Sequence, residues 1–133
     1  MSEAARMIAG ITLITVPTIV YGGVTVLGII SGNRFGMGIG RTLTPEQVTF
    51  FRAGHAHAGV LVLFSLVLQL LLDHATFPPE LVWALRIGAP LAAICVSGGF
   101  FGVAFQPRFK ASLYTGAVLL ALVTLVTGVG LVR

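Results

Sequence analysis

The chain has 133 residues, of which 56% are hydrophobic and 9% are charged, and its mean hydropathy is +1.02. Soluble globular domains carry charge on roughly a quarter of their residues, so this composition excludes an ordinary soluble protein. The length leaves room for one domain. The formal net charge of +4 requires nothing beyond the positive-inside rule and contact with anionic lipid headgroups. The basic residues do not form an extended run interleaved with aromatic ones, so we expect no nucleic-acid partner.

Four long stretches lack Asp, Glu, Lys and Arg. They contain 27, 20, 21 and 22 positions and cover residues 7–33, 53–72, 87–107 and 111–132. About 20 mostly apolar residues in a helix cross the hydrocarbon core of a bilayer, and barrel strands would instead alternate in hydrophobicity. The sequence therefore predicts an all-α, integral membrane four-helix bundle. It forms a single domain over residues 1–133 with spans near 7–31, 50–72, 82–105 and 111–132.

The ends of the spans carry their own signals. The first span is longer than the apolar core of a signal peptide, so we expect it to be retained. Thr44 and Pro45 supply an N-cap and a first-turn proline, which predicts that the second helix begins near Pro45. Residues 32–44 form the one long connection, which is rich in glycine.

Four spans place both termini on the same side of the membrane. The opposite side carries five Lys and Arg residues near the spans, and the terminal side carries three. The positive-inside rule then predicts a multi-pass protein of the bacterial inner (plasma) membrane with its termini outside.

Small residues predict where the helices touch, because helices in lipid associate through close packing. Two such faces stand out: Gly98 with Gly102 in the third span, and Ala117, Ala121, Thr124 and Gly128 in the fourth. This much small-residue surface predicts a homo-oligomer, either a dimer or a trimer. On the first helix, Thr12, Thr15 and Thr18 either bond to carbonyls of their own helix or line a polar path.

The second span contains the one chemically distinctive turn, Gly54-His55-Ala56-His57-Ala58-Gly59. Ionisable side chains within a span are costly and are functional hypotheses by default. His55 and His57 point about 200° apart on a regular helix, so they cannot share one ion and each faces a different neighbour. The small residues around them leave room for a flat macrocycle or for another helix.

Three interpretations of this turn stay open. In the first, His55 or His57 ligates haem or a transition metal, Arg52 lies near a propionate or other anion, and Tyr114 is a hydrogen-bonding neighbour. Asn33 is expected at the same depth. Bis-histidine ligation would need a second protomer, and the spans contain no carboxylate for a di-iron site. In the second, the histidines hold the helices of a non-catalytic accessory or scaffold subunit together within a larger membrane complex. The third is proton or small-molecule transport.

The His-Ala-His turn, with Val96-Ser97-Gly98-Gly99-Phe100-Phe101 and the closing Thr127-Gly128-Val129-Gly130, resembles a group of small, uncharacterised four-helix membrane proteins of actinobacterial type. This resemblance covers nearly the whole chain and implies the architecture alone. Arg52 followed by His55-Ala56-His57 is also similar to the histidine-bearing helices of short relatives of the haem-copper oxidase catalytic subunit, which implies a haem or metal ligand.

In size and topology the chain is also similar to the trimeric membrane family of eicosanoid and glutathione metabolism. Residues 53–72 contain neither Asn nor Glu, so the pattern of that family in its second helix is missing. Its glutathione chemistry is therefore not carried over, whereas a trimer remains an expectation by analogy of fold.

Overall fold

The computed structural model describes residues 1–31 and 43–133. These form four α-helices and one short 3-10 turn, Pro107–Phe109, with no strand in the described ranges. The helices are α1 (Glu3–Ile30), α2 (Pro45–Leu71), α3 (Pro79–Val103) and α4 (Lys110–Leu131). All four are long and apolar enough to cross a membrane, which confirms the predicted all-α four-helix fold. The glycine-rich connection, including Asn33, lies outside the described residues.

Helix α2 begins where its capping signal predicts. The Thr44 hydroxyl accepts from the Gln47 backbone N–H at 3.2 Å, and the Gln47 side-chain oxygen accepts from the Thr44 N–H at 2.9 Å. This capping box satisfies N–H groups that have no partner within the helix. The Gln47 amide also donates to the Ala104 carbonyl at 2.9 Å, so the start of α2 is tied to the end of α3.

Helix α3 is the centre of the bundle. It packs extensively on α2 and on α4, whereas α1 packs mainly on α2 and has only a small contact with α3. The larger core cluster joins the three later helices and comprises Leu68, Leu72, Leu85, Ala89 and Val123. Helix α1 is therefore the least enclosed of the four.

Helices α3 and α4 approach each other through glycines that the sequence analysis did not select. A methyl group on Gly99 would lie 2.7 Å from the Leu113 backbone nitrogen, and one on Gly116 would lie 2.7 Å from the Val96 nitrogen. Such distances leave no room for a side chain, so the two backbones are in contact here.

The predicted contact faces were wrong for packing within the chain. Gly98 is exposed, and a methyl group added to it would have no neighbour within 4 Å, while Gly102 faces Phe109 of the following turn. On α4, Ala117, Ala121 and Gly128 are exposed, and the buried face is Gly116, Val123, Thr127 and Gly130. Small residues occur on both faces of α4, so their spacing alone did not identify the side that meets α3.

The hydroxyls of α1 bond to their own helix, which is the first of the two alternatives. Thr12 donates to the Ile8 carbonyl at 2.8 Å, Thr15 to the Thr12 carbonyl at 2.6 Å, and Thr18 to the Thr15 carbonyl at 2.6 Å. Each donor proton is thus used locally, although the oxygens remain able to accept.

Both termini lie at one end of the bundle, as four spans require. Ser2 bonds to Asp73 in the turn between α2 and α3, and Gly130 near the C-terminus packs against Phe77 of the same turn. The opposite end holds the start of α2 and the end of α3.

Candidate functional site

His55 points from α2 toward α1. A methyl group on Gly23 would lie 2.7 Å from His55 Nε2 and 2.8 Å from Cε1, so the imidazole occupies the space that the missing side chain of Gly23 leaves. His55 is half-buried in this position. Its ring therefore acts as a packing element between α1 and α2 within the chain.

His57 lies on the opposite side of α2, against α3. Its Nδ1 is 2.7 Å from the Ala53 carbonyl oxygen, and its ring is tilted by 32° over Phe100 with the ring centroids 4.7 Å apart. A carbonyl oxygen can only accept, so Nδ1 carries the proton in this bond and, in the neutral ring, Nε2 keeps its lone pair. His57 as a whole is exposed, so the residue is accessible from outside the chain.

The predicted site residues do not converge on one point. The two histidines face different helices, which agrees with their separation of about 200° around α2. Arg52 is exposed. By helical geometry it lies about 60° around the axis from His55 and about 140° from His57. Tyr114 on α4 is 63% exposed and, among the described residues, makes no hydrogen bond to either histidine.

The described ranges contain no group of three or more His, Cys, Asp or Glu side chains placed to hold one metal ion. Cys95 is half-buried on α3, and its β-carbon faces Gly116 of α4. Any metal held at His57 would therefore take its remaining ligands from outside this set of side chains.

A second polar centre, which we call the arginine cluster, comprises Arg86, Asp73, Gln69 and Ser2. The Arg86 residue is only 2% exposed. Its Nη1 donates to the backbone carbonyl of Gln69 at 2.9 Å, and its Nη2 donates to Asp73 Oδ1 at 2.5 Å and to the Ser2 hydroxyl at 3.2 Å. The guanidinium thus caps the C-terminal end of α2, where carbonyls lack helical partners and positive charge is favoured.

The arginine cluster also satisfies the backbone carbonyl that the proline inside α3 leaves without a helical donor. Pro90 has no N–H, so the carbonyl four residues earlier, that of Arg86, loses its helical donor. The Gln69 side-chain amide donates to that carbonyl at 3.1 Å. Gln69 thus forms an interhelical hydrogen bond, and its partner is the backbone group that the proline frees.

Asp73 is strongly stabilised in its ionised form. The Ser2 hydroxyl donates to Oδ1 at 2.6 Å and the Ser2 backbone N–H to Oδ2 at 2.7 Å. These bonds, together with the Arg86 guanidinium, lower the pKa of Asp73 from 3.8 to about 2, although burial acts in the opposite direction. The cluster thus holds a charged carboxylate at the end of the bundle, where it fastens α1 to α2 and α3.

In the prediction of topology, Arg86 counted only as one of the three Lys and Arg residues on the terminal side of the membrane. A signal was present: Arg86 lies within the predicted third span, and Asp73 lies at the end of the preceding one. A buried guanidinium requires a counter-charge, and Asp73 is the nearest carboxylate across the short turn. Pairing the two would have predicted the cluster.

Comparison with known proteins supplies no further assignment, since no family model, curated protein or solved structure matches the chain significantly.

Proposed function

We propose that this membrane protein binds haem, or a transition metal, through Nε2 of His57, and that it acts in redox chemistry or ligand sensing. The observation that carries the proposal is the hydrogen bond between His57 Nδ1 and the Ala53 carbonyl at 2.7 Å. Metal-ligating histidines commonly donate their other ring N–H to a carbonyl or carboxylate, which selects the tautomer and orients the ring. In His57 this bond leaves Nε2 as the ligand atom.

The surroundings of His57 also support a ligand role. Phe100 covers one side of the ring at a centroid distance of 4.7 Å, which restricts its rotation, while the residue stays exposed. A histidine whose only task is packing inside the bundle would be expected to bury its second nitrogen against a donor. Here the second nitrogen is available to a partner outside the four-helix unit.

A single imidazole is better suited to binding haem than to binding a bare metal ion. The porphyrin supplies four nitrogen ligands, so the protein contributes one or two axial ligands. The described chain offers one oriented imidazole at this position and no cluster of three donors. A bound haem would supply electron transfer or the binding of a small gaseous ligand. His57 would hold the iron, and Arg52 of the same or a second copy would be available to a propionate.

The oligomer and the orientation belong to the same proposal. A homodimer that pairs the exposed His57 faces would provide two axial imidazoles, whereas a trimer or a larger complex would leave one. We place the protein in the bacterial plasma membrane with its termini outside, which follows the distribution of Lys and Arg. In that orientation the histidine turn lies toward the cytoplasmic end of α2.

The test is an absorption spectrum of the purified protein, oxidised and dithionite-reduced, with metal analysis on the same sample. We expect a Soret band or stoichiometric metal in the wild type and its loss in His57→Ala. His74→Ala is the matched control, because His74 is exposed in the turn after α2. Full cofactor content in His57→Ala would refute the assignment, as would a wild type with neither chromophore nor metal.

A second candidate function, that of a scaffold or accessory subunit, is favoured by one specific observation at His55. Its ring fills the space above Gly23, as expected of a histidine that holds α1 against α2. Under this function His55→Ala lowers the stability of the assembly in detergent without changing any spectrum, and His57→Ala changes neither. An unaltered assembly in His55→Ala would count against it.

A further inference from the structure

A cleft of about 420 Å³ lies between α1, α2 and α3, and His57 is not among the residues that line it. Its volume falls within the range of about 300–1,000 Å³ that is typical of small-molecule sites. Thr15, Ile94 and Gly98 line it and are exposed, so it opens between α1 and α3 toward the surrounding lipid. Molecules dissolved in the bilayer could thus enter the cleft from the lipid without passing through water.

The cleft exists because of small residues and because α1 packs loosely. Ala58 of α2, Ala93 of α3 and Gly98 of α3 contribute little side-chain volume to its walls. Helix α1 has only a small contact with α3 and does not close the space. Every lining residue is uncharged, so a charged ligand would lose its hydration without gaining a counter-charge.

Ser97 gives the cleft its chemical preference. It lines the cleft and is 7% exposed, and its hydroxyl is buried without a hydrogen-bond partner among the described residues. An unsatisfied buried hydroxyl costs free energy that a suitable acceptor would recover. The neighbouring Thr12 hydroxyl already donates to the Ile8 carbonyl. The Ser97 hydroxyl is therefore the donor in the cleft that is still available to a ligand.

We infer that this cleft is a binding site for an uncharged, lipid-soluble molecule that carries a carbonyl oxygen, with the Ser97 hydroxyl as hydrogen-bond donor. The apolar walls take the body of the molecule, and Phe101 at one end offers a ring face or edge. The inference does not depend on a ligand at His57, because His57 does not line the cleft, and the α2 residues that do, Ala58 and Val62, lie about 100° and 140° around the helix axis from it.

The experiment measures binding of menadione, an uncharged naphthoquinone, to the purified full chain by equilibrium dialysis against protein-free micelles. Its matched control ligand is 2-methylnaphthalene, which has the same rings without carbonyl groups. Gly98→Phe should block the cleft, because Gly98 lines it and nothing lies within 4 Å of the added β-carbon. Gly128→Phe is the control variant, since its position on α4 is equally open but lies outside the cleft. Circular dichroism establishes that each variant is folded.

We expect saturable, one-to-one binding of menadione by the wild type and by Gly128→Phe, and its loss in Gly98→Phe. Ser97→Ala should weaken menadione binding by about 5-fold, the effect of one hydrogen bond, and should leave 2-methylnaphthalene binding unchanged. Equal uptake by all proteins, or menadione binding that Ser97→Ala does not alter, would overturn the inference. A co-purified phospholipid that occupies the cleft and excludes menadione would overturn it as well.

Discussion

Replacing Arg86 by Met removes the guanidinium of the arginine cluster and keeps a side chain of similar length. In the variant, the Gln69 carbonyl loses the donor that lies 2.9 Å away, and Asp73 loses its ion pair with Arg86 but keeps the one with the N-terminal ammonium group at 3.7 Å. Removing one partner of a buried ion pair typically costs about 3–5 kcal/mol. Asp73 keeps its two hydrogen bonds from Ser2. We therefore expect a cost at the lower end of this range, which is a loss of ~3 kcal/mol in the free energy of unfolding.

The assay is unfolding in mixed micelles titrated with sodium dodecyl sulfate, followed by circular dichroism. Arg108→Met is the control, because Arg108 is exposed and its guanidinium lies over the Phe109 ring, at 5.7 Å from the centroid. A double-mutant cycle with Asp73→Asn should give a coupling energy of about 1–3 kcal/mol between the two side chains. A loss below ~1 kcal/mol in Arg86→Met, equal to that of Arg108→Met, would refute the claim that this cluster fastens the bundle.

Three further predictions concern the same framework. The pKa of Asp73 is lowered from 3.8 to about 2. Its ionised form therefore contributes ~2 kcal/mol to the free energy of unfolding above pH ~4, and this contribution is lost as the pH falls toward 2. Asp73→Asn should lack this acid-dependent loss when unfolding is measured across that range. Gly116→Leu should separate α3 from α4 and cost ~3 kcal/mol, whereas Gly128→Leu should cost little. Gly23→Leu should displace His55 and speed proteolysis near α1 while α2 to α4 stay protected.

Contrary results would be equally specific. An acid-dependent loss that persists in Asp73→Asn would assign the titration to another carboxylate. Equal stability of Gly116→Leu and Gly128→Leu would contradict the close backbone approach of α3 and α4. Unchanged proteolysis in Gly23→Leu would show that the His55 ring does not hold α1 in place.

The helices themselves were predictable because each depends on local sequence. Charge-free stretches locate the spans, since charged side chains are expelled from hydrocarbon. The start of α2 follows from Thr44, Pro45 and Gln47, whose capping groups act within one turn. The back-bonding of Thr12 to its own helix is likewise a local effect.

Contacts between helices were less predictable because lipid gives no hydrophobic contrast between the inside and the outside of a bundle. On α4, Ala121 is small and exposed, whereas Thr127 is polar and buried. In water the apolar side of a helix marks its packed face, but here every face is apolar. The identity of the packed face depends on a matching surface on α3, above all Gly99, and one helix considered alone does not carry that information.

For the candidate site, the sequence predicted the separation of the histidines and not their neighbours. Helical geometry places His55 and His57 on different sides of α2, but Gly23 and Phe100 come from distant parts of the chain. The arginine cluster was missed for a similar reason, since Ser2 reaches Asp73 only in the assembled bundle.

The bond between the Ser2 hydroxyl and Asp73 joins residues 71 positions apart, whereas short turns join α2 to α3 and α3 to α4. This difference imposes an order on biogenesis. Synthesis runs from the N-terminus, so α1 enters the bilayer before Asp73 and Arg86 have left the ribosome. Contacts that are local in sequence also form faster than distant ones. We therefore expect the hairpin of α2 and α3 to form before Ser2 bonds to Asp73, so that α1, although made before that hairpin, is secured after it.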